Sequence, residues 1–131
     1  MPGRPTTILA VANGPQYGGK FKIAPRANFT DGKLDICWIG KMDKLKIVTC
    51  LSKLMRGVHE QLPEVDAFKM PDQSFSIRSS AELVCQMDGE IVETSQEYHI
   101  GVIPRALNVA VPSSVAELIR VPLENSVPQP A

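Results

Sequence analysis

The sequence predicts a mainly β fold: an antiparallel β-sandwich with one amphipathic helix over about residues 42–58 and a short C-terminal helix. Three observations support this fold class. Most of the chain consists of short runs that alternate between apolar and polar residues, separated by turn residues. A single long stretch has helical periodicity. Strands and helices do not alternate as they do in parallel α/β folds, and no internal repeat occurs.

The chain up to residue 40 predicts three strands. Residues 7–12 form a short apolar run that is typical of a strand buried on both faces. Residues 20–24 alternate and predict a half-buried strand, with Phe21 and Ile23 on its inner face. Residues 34–39 predict the third strand.

Residues 42–58 carry the strongest helical signal. Asp43 is a candidate N-cap, and Gly57 with the segment after it ends the helix. The rest of the helix surface is basic, and two interpretations remain open: a solvated face, or contact with an anionic membrane surface. The apolar stripe at helical spacing consists of Met42, Leu45, Val48, Leu51, Met55 and Val58, widened by Ile47 and Leu54.

The chain after Pro63 returns to strand patterns. Asp88-Gly89 is a strong signal for a two-residue hairpin turn. A short helix is expected to begin at Ser113 or Ser114. A weak strand is expected at 65–70, and seven or eight strands are expected in the whole chain. The other strands expected in this half are 74–78, 83–87, 91–93, 98–102 and 107–111.

Composition narrows the functional class. The 131 residues predict one domain, and 14 basic against 14 acidic residues leave no net charge. We therefore expect no nucleic acid partner, because duplex-binding proteins usually carry a basic excess. Cys37, Cys50 and Cys85 form no CxxC pair and predict buried thiols of a reducing compartment, with neither disulfide nor zinc.

Segment composition predicts the location and the boundaries of the domain. No apolar run approaches the length of a membrane span, and the N-terminus lacks a signal-peptide core, so we expect a cytoplasmic protein. Residues 1–5 are interpreted as a start sequence or tag scar and 6–120 as the sandwich domain. The Pro-rich residues 121–131 predict a disordered tail.

The two histidines predict no catalytic role. His59 is expected at the C-terminal end of the helix, where a positive charge is mildly favoured. His99 alternates with apolar neighbours and is expected to face outward. Neither has a serine or cysteine partner that the sequence could justify, so no hydrolase triad is predicted.

Residues 11–35 contain the densest Gly/Pro punctuation, and the rest of the chain is organised around them. Glycine permits positive φ and a close approach of backbone to ligand. Closely spaced turns therefore fit either a tight β-meander or a site for a phosphate or headgroup. The residues alone favour the meander, because Gly and Asn-Gly are first of all turn residues.

This stretch and two later motifs resemble the C-terminal domain of the diacylglycerol kinase/sphingosine kinase superfamily, of the bacterial soluble lipid kinase type. The resemblance extends over about residues 9–112, with its motifs in order, and departs at Lys20, where the family commonly has a third glycine. It implies a lipid-facing β-sandwich that lacks its first strands here, and an unpaired edge through which the chain would homo-oligomerise. The matching residues are Asn13-Gly14, 18–25, Ala27, 31–35, 86–90, 103–107 and Val109.

The resemblance implies roles for two carboxylates at the hairpin turn. Glu90 would be the general base that deprotonates a lipid hydroxyl, and Asp88 would orient it or help with a metal. On the residues alone, Asp88-Gly89 is simply a hairpin turn and Glu90 a solvated side chain.

The resemblance also implies a structural Mg²⁺ site and a cleft toward a nucleotide domain. Asp31 would bind the Mg²⁺, with backbone oxygens near Asn28 and Lys33. The alternatives are an Asp-Gly turn without metal and strand-end turns without ligand. The residues that would line the nucleotide-facing cleft are Asn13, Gly14, Gly18 and Gly19.

The sequence contains neither a GxxxxGK[ST] phosphate loop nor the GGDGT motif by which the resembled family binds ATP. We therefore expect an N-terminal ATP-binding domain, absent from this chain, to supply the nucleotide site, and the isolated chain to be inactive. Joined to it, the chain would transfer phosphate from ATP to a lipid alcohol, peripherally at a membrane surface. Two alternatives are a non-catalytic binding or oligomerisation module derived from this domain, and a domain of the related NAD kinases, which the DGE motif disfavours.

Overall fold

The structure, a computed structural model, describes residues 3–70 and 73–118. Two antiparallel sheets and one main helix make up this part of the chain, which confirms the mainly β, sandwich-like class. The first sheet has the order β1-β2-β3, and the second is a long hairpin of β4 and β5. The elements are β1 (Thr6–Ala12), β2 (Asp35–Gly40), α1 (Lys44–Arg56), a 3₁₀ turn (His59–Gln61), β3 (Val65–Lys69), β4 (Ser74–Met87), β5 (Glu90–Gly101) and α2 (Ser113–Leu118).

The core lies between β2 and α1. β2 is the central strand, and every residue in it except Trp38 is buried. The prediction that both faces of residues 7–12 are buried is wrong, because β1 is an edge strand whose residues are exposed or half-buried. The buried cluster consists of Ile23, Ala24, Cys37, Ile39, Cys50, Leu54 and Val65.

The helix forms where its periodicity predicts it. The Asp43 side chain accepts a hydrogen bond from the Lys46 N–H at 2.9 Å and so satisfies one of the free amides of the first turn. At the other end, Gly57 adopts φ 74 and donates its N–H to the Leu54 carbonyl at 3.1 Å. Only glycine takes this left-handed conformation without strain, which explains why α1 stops there.

The apolar stripe of α1 is buried only in part. Cys50 and Leu54 are the buried residues of this helix, whereas Leu45 and Val48 are 83% and 66% exposed. The apolar positions span more than half of the circumference at about 100° per residue, and a single sheet covers only part of such a surface. The periodicity of the sequence therefore located the helix but did not indicate which of its apolar residues the sheet would cover.

The described strands number five, fewer than the seven or eight predicted. The segments 74–78 and 83–87 join into β4, and 91–93 and 98–102 join into β5. The predicted strand at 107–111 does not form.

The predicted strand at 20–24 does not form either. Ile23 and Ala24 are buried as expected, but the backbone has no strand beside it. Instead, the Lys22 N–H bonds to the Leu54 carbonyl at 3.0 Å, and the Ala24 N–H bonds to the Pro15 carbonyl at 3.3 Å. These two hydrogen bonds, to carbonyls in separate segments, take the place of the regular hydrogen-bond ladder between paired strands.

The predicted hairpin turn is confirmed. Asp88 and Gly89 have φ values of 50 and 100, as a two-residue turn between right-twisted strands requires. No residue of β4 or β5 is buried, so this hairpin contributes none of the core. Within residues 3–70 and 73–118, no helix is long and apolar enough to cross a membrane. The tail predicted at 121–131 lies outside the described residues.

Candidate functional site

The glycine loop is a tight exposed turn. Tyr17 and Phe21 exchange two backbone hydrogen bonds of 2.8 and 3.1 Å across it. Gly18 and Gly19 lie between them with φ 58 and 74, values that side-chain-bearing residues rarely adopt. Because the loop is exposed, its backbone is open to a ligand.

The first pair of candidate cleft residues has a packing role. A Cβ on Gly14 would lie 2.3 Å from the Phe29 ring, so glycine here makes room for that aromatic side chain. Asn13 is exposed beside it. The close approach of a ring explains Gly14 without a ligand, while Asn13 remains available to one.

Asp31 organises the second turn. Its Oδ1 accepts the Lys33 N–H at 3.0 Å, and Asn28 Oδ1 accepts the Thr30 N–H at 3.0 Å. Local hydrogen bonds from side chains to the backbone, such as these, stabilise a turn whose backbone groups have no strand partners. Asn28, Asp31 and Lys33 therefore lie together in one turn.

Lys69 is the residue of this site that sequence reasoning missed. Its Nζ lies 2.5 Å from Asp31 Oδ2 and 3.4 Å from Asp35 Oδ2. Although partial desolvation acts in the opposite direction, the hydrogen bond from Lys69 and the Lys33 N–H hold the pKa of Asp31 below its usual value. The bond to Asp31 likewise raises the pKa of Lys69. Separations of 38 and 34 residues left no local signal of this cluster.

The chemistry of the Asp31 cluster fits a hard cation. Two carboxylates and the carbonyl oxygens of a turn are the donors that Mg²⁺ prefers, with water completing its shell. An ammonium already holds the two carboxylates together, so a metal would compete with Lys69 for Asp31 Oδ2. Among the described residues, no group of three or more His, Cys, Asp or Glu side chains is placed to hold a metal.

A shallow cleft of about 290 Å³ adjoins this cluster. Apolar side chains, among them Ile23, Ile36 and Phe68, form part of its wall. Asp35 and Lys69 also line it, so charged groups from the cluster meet an apolar surface there. Arg26 and Glu60, which form an ion pair at 2.9 Å, line it as well, so four of the residues around this cleft are charged.

Asp88 and Glu90 are exposed at the tip of the hairpin. In residues 3–70 and 73–118, neither carboxylate has a hydrogen-bond or ion-pair partner, and no such bond joins the tip to the Asp31 turn. Both side chains are consequently exposed to solvent in the part of the chain that the structure describes.

His59 is not the helix-end cation that the sequence predicts. It is fully buried, with Nε2 3.2 Å from the Ile23 carbonyl and 3.5 Å from Cys37 Sγ. Burial lowers the pKa of His59 and raises the pKa of Cys37 to about 12, so the pair is neutral at physiological pH. Because the thiolate is the nucleophile, this pair is structural.

His99 is exposed, as predicted, but the structure gives it a serine neighbour. Ser76 Oγ lies 2.8 Å from His99 Nδ1, and Glu97 lies 3.5 Å from Nε2. Arg78 also binds Glu97. Ser76, His99 and Glu97 lie on the exposed surface of a two-stranded sheet, and none of them lines the cleft beside Lys69.

The chain belongs to the family of YegS C-terminal NAD kinase beta sandwich-like domains, whose model matches residues 3–111. This confirms the expected C-terminal domain of the diacylglycerol kinase-like lipid kinases.

One curated relative is the Bacillus subtilis (strain 168) protein named Putative lipid kinase YtlR. The two are 32% identical over 88 residues, which is 67% of this chain. The matched part covers 28% of the relative, so the chain corresponds to a minor portion of that protein.

Proposed function

We propose that this chain is the lipid-facing domain of an ATP-dependent lipid kinase of the diacylglycerol kinase-like type. Membership of the sandwich-like family over residues 3–111 carries the proposal. A separate N-terminal domain binds ATP, and the isolated chain transfers no phosphate.

The general base in this proposal is Glu90. A base must reach the hydroxyl proton directly, and an exposed carboxylate without a partner on its own domain meets that requirement when a second domain closes over it. Asp88, two residues away across the turn, orients Glu90 or assists a metal. The tight turn fixes the spacing of both groups.

The proposal places Mg²⁺ at the Asp31 turn and the nucleotide beside the glycine turns. Asp31 and the backbone oxygens near Asn28 and Lys33 would hold the metal, whose charge would stabilise the turn. Exposed backbone amides at positive-φ glycines suit a phosphate. The residues that face the nucleotide are Asn13, Gly14, Gly18 and Gly19.

The experiment joins the chain to the ATP-binding domain and measures labelled phosphate transfer to a panel of lipid alcohols. Glu90→Gln is expected to lower kcat by about 10²- to 10⁴-fold, the usual contribution of a general base. Glu93→Gln is the matched control, because Glu93 is an exposed glutamate on the same strand and should leave the rate unchanged. Equal rates in both variants would remove Glu90 from the mechanism.

A second candidate function is a non-catalytic binding or oligomerisation module. The observation that favours it is that β1 and β3 are open edges of the first sheet, and open edges pair readily with other chains. Sedimentation of the chain over a range of concentrations tests this function. A stable dimer, with no transfer to any lipid by the joined protein, would favour the module over the kinase.

A further inference from the structure

Helix α1 turns a continuous apolar stripe away from the core. Leu45, Val48, Leu51 and Met55 follow one another at spacings of three or four residues, so they lie on adjoining turns of one side. They are 83%, 66%, 45% and 50% exposed, although Cys50 and Leu54 on the other side are buried. A solvated helix face normally carries polar residues at such positions.

The charge on α1 has a single sign. The helix contains Lys44, Lys46, Lys53 and Arg56 and no acidic residue. Glu64 forms an ion pair with Lys46. The other three cations have no ion-pair partner within residues 3–70 and 73–118, and Lys44 and Arg56 lie at the two ends of the stripe.

We propose that the Leu45-Val48-Leu51-Met55 stripe docks on an anionic phospholipid bilayer, with the helix lying in the plane of the membrane interface. A basic helix with exposed aliphatic side chains matches this environment, where the acyl boundary takes the apolar side chains and the lipid phosphates take the cations. A second copy of the chain is a poorer fit, because two such helices would bring unpaired cations together.

This proposal rests on the proposed function for its purpose, since a lipid kinase must reach its substrate in a membrane. Its test does not depend on catalysis. Vesicle binding involves no phosphate transfer, and transfer to a water-soluble, short-chain lipid alcohol involves no vesicle. If the chain fails to bind vesicles, phosphate transfer to the short-chain lipid alcohol can still be measured. If there is no transfer, vesicle binding can still be measured.

The experiment is co-sedimentation of the whole 131-residue chain with vesicles of phosphatidylglycerol and phosphatidylcholine, and with phosphatidylcholine alone. We expect binding to the anionic vesicles, weakened as salt rises from about 0.1 M to about 1 M and the Debye length shrinks. Leu45→Gln with Val48→Gln should weaken binding about tenfold or more, since both side chains lose their transfer into the acyl boundary. Lys44→Gln with Arg56→Gln should weaken binding to anionic vesicles and reduce its salt dependence.

The matched control is Ile8→Thr with Val84→Thr. These residues are 50% and 64% exposed on strands β1 and β4, so the control removes comparable aliphatic surface away from α1. It should bind as the unchanged chain does. Three results would overturn the proposal: no binding to anionic vesicles, the same loss in the control as in the α1 variants, or self-association that the α1 variants abolish without any vesicle binding.

Discussion

Lowering the pH from about 8 to about 5 will destabilise this protein through His59, whose free form has a pKa of about 6.5. In the folded chain, burial lowers the pKa of His59, despite the opposing hydrogen bond to Ile23 and the charge of Glu60. The unfolded chain therefore takes up the proton first as the pH falls. The stabilisation is complete above the unfolded pKa and is lost between that value and the lower pKa of the folded state.

The size of this loss of stability follows from the one proton that His59 takes up in the unfolded chain. While the unfolded chain holds one more proton than the folded chain, the free energy of unfolding falls by up to about 1.4 kcal/mol per pH unit. Carboxylates with lowered pKa values, such as Asp31, lose their contribution only at more acidic pH, below about 4. Between about pH 7 and pH 5, a change in the free energy of unfolding therefore reflects the protonation of histidine.

The assay is urea unfolding at several pH values, followed by the fluorescence of Trp38, the only tryptophan. His59→Gln retains an N–H donor for the Ile23 carbonyl but does not titrate, so its stability should be flat from about pH 7 to pH 5. A His59→Gln variant with the slope of the unchanged chain would refute the reasoning.

Three further predictions concern α1 and the thiols. Gly57→Ala should lower the free energy of unfolding by about 1 kcal/mol in urea titrations, because φ 74 strains alanine; no loss would contradict the cap. Asp43→Ala should cost about 1 kcal/mol, whereas Asp43→Asn, which also accepts the Lys46 N–H, should cost clearly less. A thiol reagent should label half-buried Cys85 before Cys37, whose pKa is raised to about 12; equal labelling in mass spectra of the native chain would be incompatible with the buried pair.

Local chemistry made part of the fold predictable. Asp88-Gly89 specifies its own turn, and Asp43 and Gly57 bracket the helix by bonds within a few residues. The strand expected at 20–24 failed because alternation reports which side chains are buried and not which backbone acceptor is nearby. The strands that did form were recognised where turn residues bounded them.

The candidate site was predictable only where it is local. Asn28, Asp31 and Lys33 fall in one turn, and motif resemblance identified them together. The Lys69 partner of Asp31 comes from the far edge of the sheet, and only the pairing of β2 with β3 brings it there. Burial of His59 beneath Cys37 and Ile23 is likewise a product of packing between distant segments.

The most direct test of the central claim compares phosphate transfer from ATP to lipid alcohols by three proteins: this chain alone, the ATP-binding domain alone, and the two joined. The account predicts transfer only by the joined protein, because the acceptor side and the nucleotide side are on different domains. Transfer by the chain alone, or equal transfer by the ATP-binding domain without it, would contradict the account.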